Sequence, residues 1–263
     1  MSRAFTQLAR PSNSAFFSKP FTLNTLRAVR SALLENLSKL ERPPGWASLD
    51  KKQTAAILIP FCNVREVPGI LLQVRSRSMR SHSGEVSCPG GRVDELDLSL
   101  LDTALRETTE ELGIPRDVIE VLGPFGPPEK SLRGDTVWPF IGFVHESTDR
   151  PNINDDEPLP SIDLSAIERT ASKDEVAAVF HLPLAELANP SRLVSSLFRD
   201  QRPYWSVDVT DLVPTGEGVI GSTHSEEDEI GAGRDGRLEV WGLTGWFIFL
   251  VSQQILGQAK IQL

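Results

Sequence analysis

An α/β fold in layers is what this sequence predicts. Apolar runs of strand length alternate with segments of helical periodicity in mixed order, which is how a sheet packed between helices reads. The chain has 263 residues, 40% of them hydrophobic and 24% charged, enough for one large domain with appended segments and a buried core. No apolar run approaches the ~20 residues needed to cross a bilayer. The nearest, residues 243–256, contains Thr244, Gly245, Ser252 and two glutamines, and reads as a core helix.

The elements follow in order. Residues 1–20 read as a tail. Thr22 is a candidate cap for a helix over residues 23–40, with Leu26, Val29, Leu33 and Leu37 at helical spacing, and the stretch Arg42-Pro43-Pro44-Gly45 ends it. Residues 55–61 read as a buried strand. A turn is expected near Pro68-Gly69, then a second strand over 70–74 and a short third over 85–88 running into Pro89-Gly90-Gly91. Over residues 98–112 the positions Leu101, Ala104, Leu105, Thr108 and Leu112 share one helical face; Gly113 stands at the left-handed closing position and Pro115 prevents continuation. Strands are expected near 118–122 and 137–144. Two stretches read as acidic loop insertions, residues 151–172 and 215–237, the latter carrying Ser225-Glu226-Glu227-Asp228-Glu229 as solvated surface. No internal repeat is present.

A formal charge of −9 argues against nucleic acid as a partner, because phosphate backbones repel such a surface. It leaves room for an anionic phosphate compound if a divalent cation stands between. Cys62 and Cys88 are far apart, form no CxxC pair, and read as buried thiols of a reducing compartment. Residues 1–34 hold no Asp or Glu but contain Arg3, Arg10, Lys19, Arg27 and Arg30 among serines and phenylalanines. That composition suits a mitochondrial presequence, and equally a tail followed by an amphipathic helix. A cytosolic or peroxisomal location stays open, although the chain ends Ile261-Gln262-Leu263 and not Ser-Lys-Leu.

The informative segment runs from Gly90-Gly91-Arg92 to Arg106-Glu107-Thr108-Thr109-Glu110-Glu111-Leu112-Gly113-Ile114. Positions i, i+3 and i+4 of a helix share a face, so Glu107, Glu110 and Glu111 project together. Carboxylates this close repel one another and hold their protons more tightly unless a cation intervenes. A hard ion such as Mg²⁺ takes oxygen ligands and keeps water for a nucleophile.

This segment resembles the box of the Nudix family: Gly, five residues, Glu, seven residues, then Arg-Glu-aliphatic-x-Glu-Glu-x-Gly-aliphatic. The second half departs only at Thr108, which stands at the aliphatic position. Counted from Gly91, the spacing to Arg106 is one residue longer than the pattern, and Asp97 takes the place of the internal Glu. The extra residue is expected in the loop before the helix, leaving the helical carboxylates in register. The resemblance implies a Nudix α/β/α sandwich with a mixed sheet over residues 49–263, preceded by a tail and helix over 1–48. It implies a metal-dependent diphosphatase using Mg²⁺ or Mn²⁺. Glu107 and Glu111 would be the principal ligands, Glu110 would assist, and Arg106 would orient a carboxylate.

The segment just upstream, from Leu71-Leu72-Gln73-Val74-Arg75-Ser76 through His82-Ser83-Gly84 to Cys88-Pro89-Gly90-Gly91, resembles the motif of coenzyme A diphosphatases. Gln73 stands for the usual Thr, and Cys88 for the usual Phe. Arg75, Arg77, Arg80 and His82 put donors in one loop, and coenzyme A carries a 3′-phosphate besides its diphosphate. The stretch Asp174-Glu175-Val176 before a Val-Phe strand and a Pro-Leu helix start is also similar to that subfamily, making Glu175 a candidate further ligand or general base. Trp241 and Trp246 read as core or pocket wall. The substrate so implied is coenzyme A or an acyl-coenzyme A. ADP-ribose, a dinucleotide, or a non-catalytic Nudix binding domain are the alternatives. Oligomeric state is not legible.

Overall fold

The long strands β1 (Thr54–Val64) and β2 (Val67–Arg75) form a hairpin in a computed structural model that describes residues 18–38, 48–79, 82–149, 153–199, 201–214 and 237–256. The chain reverses at Arg65 and Glu66, at φ 49 and 61, so the expected turn at Pro68-Gly69 is corrected by three residues. Two positive-φ residues between paired strands match the twist of a hairpin. Neither is the Gly or Asn that usually signals it, which is why the sequence pointed elsewhere. Pro68 and Gly69 instead lie inside β2, opposite Asn63 and Cys62. Gly69 is required there, since a Cβ would stand 2.1 Å from Nε2 of His181.

β1 and β2 diverge beyond Phe61 and Ile70, and the segment of β3 (Val86–Ser87) and β4 (Gly90–Arg92) enters between them, β3 on β2 and β4 on β1. On the other side of β1 lies β7 (Thr136–Val144), parallel to it, followed by β5 (Ile119–Pro124) and the short β6 (Glu129–Lys130), both antiparallel to β7. β8 (Val176–Pro183) closes the far edge against β2. One parallel pair among antiparallel ones makes the sheet mixed, and its alternate residues bury on both faces, as a central layer must.

One face presents Ile59, Phe61, Ile70, Leu72, Ile141 and Phe143 to α1 (Leu23–Leu37) and α4 (Gly242–Val251). The other presents Ala56, Leu58, Cys62, Leu71, Phe140 and Val179 to α2 (Leu100–Leu112) and α3 (Leu164–Thr170). Each such large side chain contributes roughly 1.5–3 kcal/mol by leaving water. The predicted α/β/α layering is therefore what the chain adopts. Thr22 caps α1 as expected, its hydroxyl accepting from the Thr25 amide at 3.2 Å, while Thr25 Oγ1 accepts from the Thr22 amide at 2.6 Å. α1 stops at Leu37, short of the predicted end at residue 40. Both thiols are free and buried, which raises their pKa.

Two expectations change. Residues 153–172 are not loop throughout: Asp163 caps the short helix α3, and Leu159, Ile162 and Ala171 are buried. The buried Asn63 carboxamide ties this segment to the N-terminal one, accepting from the Phe21 amide at 2.8 Å and donating to the carbonyls of Phe21 (3.0 Å) and Leu159 (2.9 Å). A three-stranded sheet, β9 (Leu193–Phe198), β10 (Arg202–Asp208) and β11 (Glu239–Val240), was not predicted at all; α4 packs on it and continues as π-helix over Ser252–Leu256. Trp246 is buried, as anticipated. Residues 1–17 of the N-terminal segment and 215–236 of the acidic stretch lie outside the described residues. Among the described residues, no helix is long and apolar enough to cross a membrane.

Candidate active site

Helix α2 is set by its ends. Ser99 caps it, Oγ accepting from the Asp102 amide at 3.0 Å, and Gly113 closes it at φ 68. Thr108, at the family's aliphatic position, is fully buried; its hydroxyl donates to the Ala104 carbonyl at 2.7 Å and so brings no unmet polar atom into the core. With that face turned inward, Glu111 is carried into the interior at 2% exposure, Glu107 is mostly covered, and Glu110 stays in solvent.

The Gly90-Gly91 pair lets β4 approach these carboxylates. The Gly90 amide donates to Glu111 Oε2 at 2.8 Å. A Cβ on Gly91 would stand 2.4 Å from the Glu107 carboxyl carbon, so any larger residue would displace that carboxylate. Arg75, at the end of β2, donates through Nη1 to Glu111 Oε1 at 3.1 Å. Alternation along β2 puts Leu71, Gln73 and Arg75 on the α2 face, and Gln73 is fully buried beside Glu111.

Arg106 holds the other carboxylates. It forks onto Asp97 (Nε–Oδ1 2.8 Å, Nη2–Oδ2 3.1 Å) and reaches Glu110 Oε2 at 2.7 Å and Glu107 Oε1 at 3.0 Å, while Nη2 donates to the Arg92 carbonyl at 3.0 Å. Asp97 also accepts from the Asp94 amide at 2.8 Å and Thr103 Oγ1 at 2.7 Å. The extra residue of the loop is thus absorbed before α2, and Asp97 anchors Arg106 with both oxygens engaged.

The electrostatics divide the carboxylates. Burial opposes ionisation of Asp97, but the Arg106 fork, the Asp94 amide and Thr103 outweigh it and hold the group at about 2. Glu111 is pushed up to about 7, first by burial and also by Glu107, against the Gly90 amide, Arg75 and Gln73. Glu107 is raised by burial, partly offset by Arg106, with Glu110 and Glu175 adding repulsion. Glu175 precedes β8, its carbonyl accepting from the Ser76 amide at 2.8 Å. Two carboxylates that resist ionisation at one end of a sheet mark a candidate functional site.

The remaining predicted residues fall around this centre. Arg77 is exposed, with its carbonyl accepting from Ser83 Oγ at 3.1 Å. His82 is exposed at φ 56, its Nδ1 2.9 Å from Glu85 Oε2. Arg80 lies outside the described residues. Sequence reading assigned no role to Gln73 and left Asp97 without one. A Gln in the middle of an apolar strand was the available signal for the first. Among the described residues no three His, Cys, Asp or Glu side chains gather into a ready-made ion cage. The donors present are oxygens of the kind Mg²⁺ and Mn²⁺ take, so the group fits such an ion chemically.

A carboxylate-bearing helix seated on a Gly-Gly strand within a mixed sheet places the chain in the α/β class with its candidate site at that junction. The model of the NUDIX domain matches residues 51–196, and the chain belongs to the Nudix family. It is 38% identical over 154 residues to a protein of Enterobacter sp. (strain 638) described as an uncharacterized Nudix hydrolase, NudL, covering 59% of this chain and 69% of the relative. A NudL of Cronobacter sakazakii is 41% identical over 169 residues, covering 64% and 73%. Among solved structures, a MutT/nudix family protein from Enterococcus faecalis is 23% identical, with a TM-score of 0.34 over 73% of this chain and 65% of that one. The NUDIX domain of Shewanella oneidensis NrtR, crystallised with ADP ribose, is 22% identical, with a TM-score of 0.31 over 60% and 97%.

Proposed function

We propose that this Nudix chain is a diphosphatase that hydrolyses coenzyme A or acyl-coenzyme A to 3′,5′-ADP and 4′-phosphopantetheine or its acyl form. The observation that carries the reading is the contact between two motifs. The strand and loop resembling coenzyme A diphosphatases end on the Glu-rich helix, through Arg75 on Glu111, the Gly90 amide on Glu111 and Gly91 against Glu107.

In this reading Glu107 and Glu111 hold the divalent ion, with Glu110 assisting from the rim. When bound, Mg²⁺ or Mn²⁺ polarises a phosphorus centre and lowers the pKa of a coordinated water. Arg106 keeps Glu107 in place and is itself fixed by Asp97. Glu175, whose charge reaches Glu107, is the candidate for the base that takes the water proton, or for a further ligand. The water oxygen bonds to phosphorus as the bridging P–O bond breaks, and the bridging oxygen leaves with the second phosphate. Arg77 and His82, with Arg80 of the same loop, are candidates for the 3′-phosphate, and the Gly90-Gly91 backbone allows the diphosphate to approach. Arg75 is turned to Glu111, which makes it a poorer phosphate donor than its sequence position suggested.

Product identification with Mg²⁺ tests the substrate. Coenzyme A, acyl-coenzyme A, ADP-ribose and a dinucleotide are assayed side by side, and phosphopantetheine with 3′,5′-ADP is the expected product pair. ADP-ribose cleaved far faster than coenzyme A would sink the assignment. The basic, acid-free residues 1–34 support mitochondrial import as the location, and fusion to a reporter would send the reporter to mitochondria; a diffuse cytosolic signal removes that idea.

A further inference from the structure

The Glu111 carboxylate is held by a strand as well as by its own helix. Oε2 takes the Gly90 amide at 2.8 Å and Oε1 takes Arg75 Nη1 at 3.1 Å. Gln73, fully buried one pleat away on the same face of β2, lies against the same carboxylate, with Nε2 at 3.4 Å from Ser87 Oγ. Two atoms of this pair have no partner in the protein: Gln73 Oε1, an acceptor, and Arg75 Nε, a donor. Buried polar atoms left unmet are costly, and a native site keeps them where a water or ligand completes the set. Neither residue sits on the Glu-rich helix; both lie on β2.

We infer that Gln73 and Arg75 are positioning residues that orient Glu111 toward the divalent ion, and that their two unmet atoms are completed by water when the ion is held. The inference rests on the proposed ligand role of Glu111. It reassigns Arg75 from substrate recognition to the support of a ligand, and gives Gln73 a role beyond that of a replaced threonine. Outer partners of this kind fix a ligand's direction, and their loss typically costs about 10–100-fold in metal affinity or activity.

The test is titration of the full-length chain with Mn²⁺ alone, read by the EPR signal of the free ion, with melting curves in parallel. Gln73→Met keeps the volume and removes the amide; Arg75→Lys keeps the charge and removes the planar guanidinium. Each is expected to raise the Mn²⁺ Kd by about 10–100-fold, with melting within a few degrees of wild type. Should Gln73→Met melt far below wild type, Arg75→Lys carries the decision. Wild-type Mn²⁺ affinity in Arg75→Lys, or in a well-folded Gln73→Met, overturns the positioning role while Glu111→Gln still abolishes binding. If Glu111→Gln binds Mn²⁺ as wild type does, the ligand reading itself fails and this inference with it.

Discussion

Glu129 and Glu111 are both largely buried carboxylates facing an arginine, and the molecule treats them in opposite ways. Glu129 takes a fork from Arg202 at 2.6 and 2.8 Å and a third bond from Trp246 Nε1 at 3.0 Å. The Arg202 guanidinium lies 4.6 Å from the Trp246 ring centre and 4.8 Å from that of Phe198, and those two rings stack 4.9 Å apart. Glu111 has a single bond from Arg75 and one from an amide, a like charge nearby in Glu107, and two unmet polar atoms beside it. A carboxylate saturated with donors clamps β6 of the main sheet to the small sheet and α4. One left short of positive charge has capacity for a guest. What separates them is the supply of donors, for both are mostly out of water.

The contrast can be broken most forcefully at Glu111. Glu111→Gln should lower kcat/KM on coenzyme A by at least a hundredfold, about 2.7 kcal/mol of transition-state stabilisation, with melting unchanged or raised. Unchanged turnover would refute the ligand role. The same variant reads the electrostatics in the absence of divalent ion. An unfolded glutamate titrates at about 4.3, and Glu111 in the fold at about 7. Between those values the folded state binds more protons, so this group makes the wild type less stable as pH rises through that window. Melting temperatures of Glu111→Gln across the window should lack that component of the decline.

The saturated clamp should respond in the other currency. Glu129→Ala removes three hydrogen bonds and is expected to cost about 2 kcal/mol of stability, since bonds to charged groups are worth more than neutral ones. Its kcat should stay within about twofold of wild type under conditions where the protein is folded. A large loss of kcat in a well-folded Glu129→Ala would place the clamp inside the site and erase the distinction.

Asp97→Asn lies between the two cases and has the smallest expected effect. It weakens the fork that holds Arg106 and, through it, Glu107, for roughly a tenfold loss of kcat/KM, or about 1.4 kcal/mol. Asp97 is held at about 2 in the fold, below the usual carboxylate value of about 3.9. Its stabilisation is therefore present above about pH 4 and lost as pH falls toward 2. The melting gap between wild type and Asp97→Asn should narrow in acid; a gap independent of pH would show that charge is not what Asp97 contributes.

Local patterns foretold some of this and missed the rest for identifiable reasons. Thr22, Gly113 and the periodicity of α1 and α2 announced both helices, because caps and 3.6-residue spacing are written in neighbouring residues. The small sheet left no such mark. β9 is only partly buried along Leu193–Phe198, β10 carries Pro203 near its start, and β11 is two residues long. Its order depends on α4 and the main sheet packing against it. The hairpin at Arg65-Glu66 lacked the residues that usually tolerate positive φ, and the burial of Leu159 and Ile162 depends on Asn63, about a hundred residues earlier in the chain.

By itself the sequence determined that Glu107, Glu110 and Glu111 share a helical side and that glycines precede that helix. Those are consequences of backbone period, which neighbouring residues set. Only the tertiary structure decided that Glu111 goes inside while Glu110 stays out, and that Arg75 turns to Glu111. Solvent exclusion and the choice of partner depend on which layer packs on which, and that is a property of the whole chain.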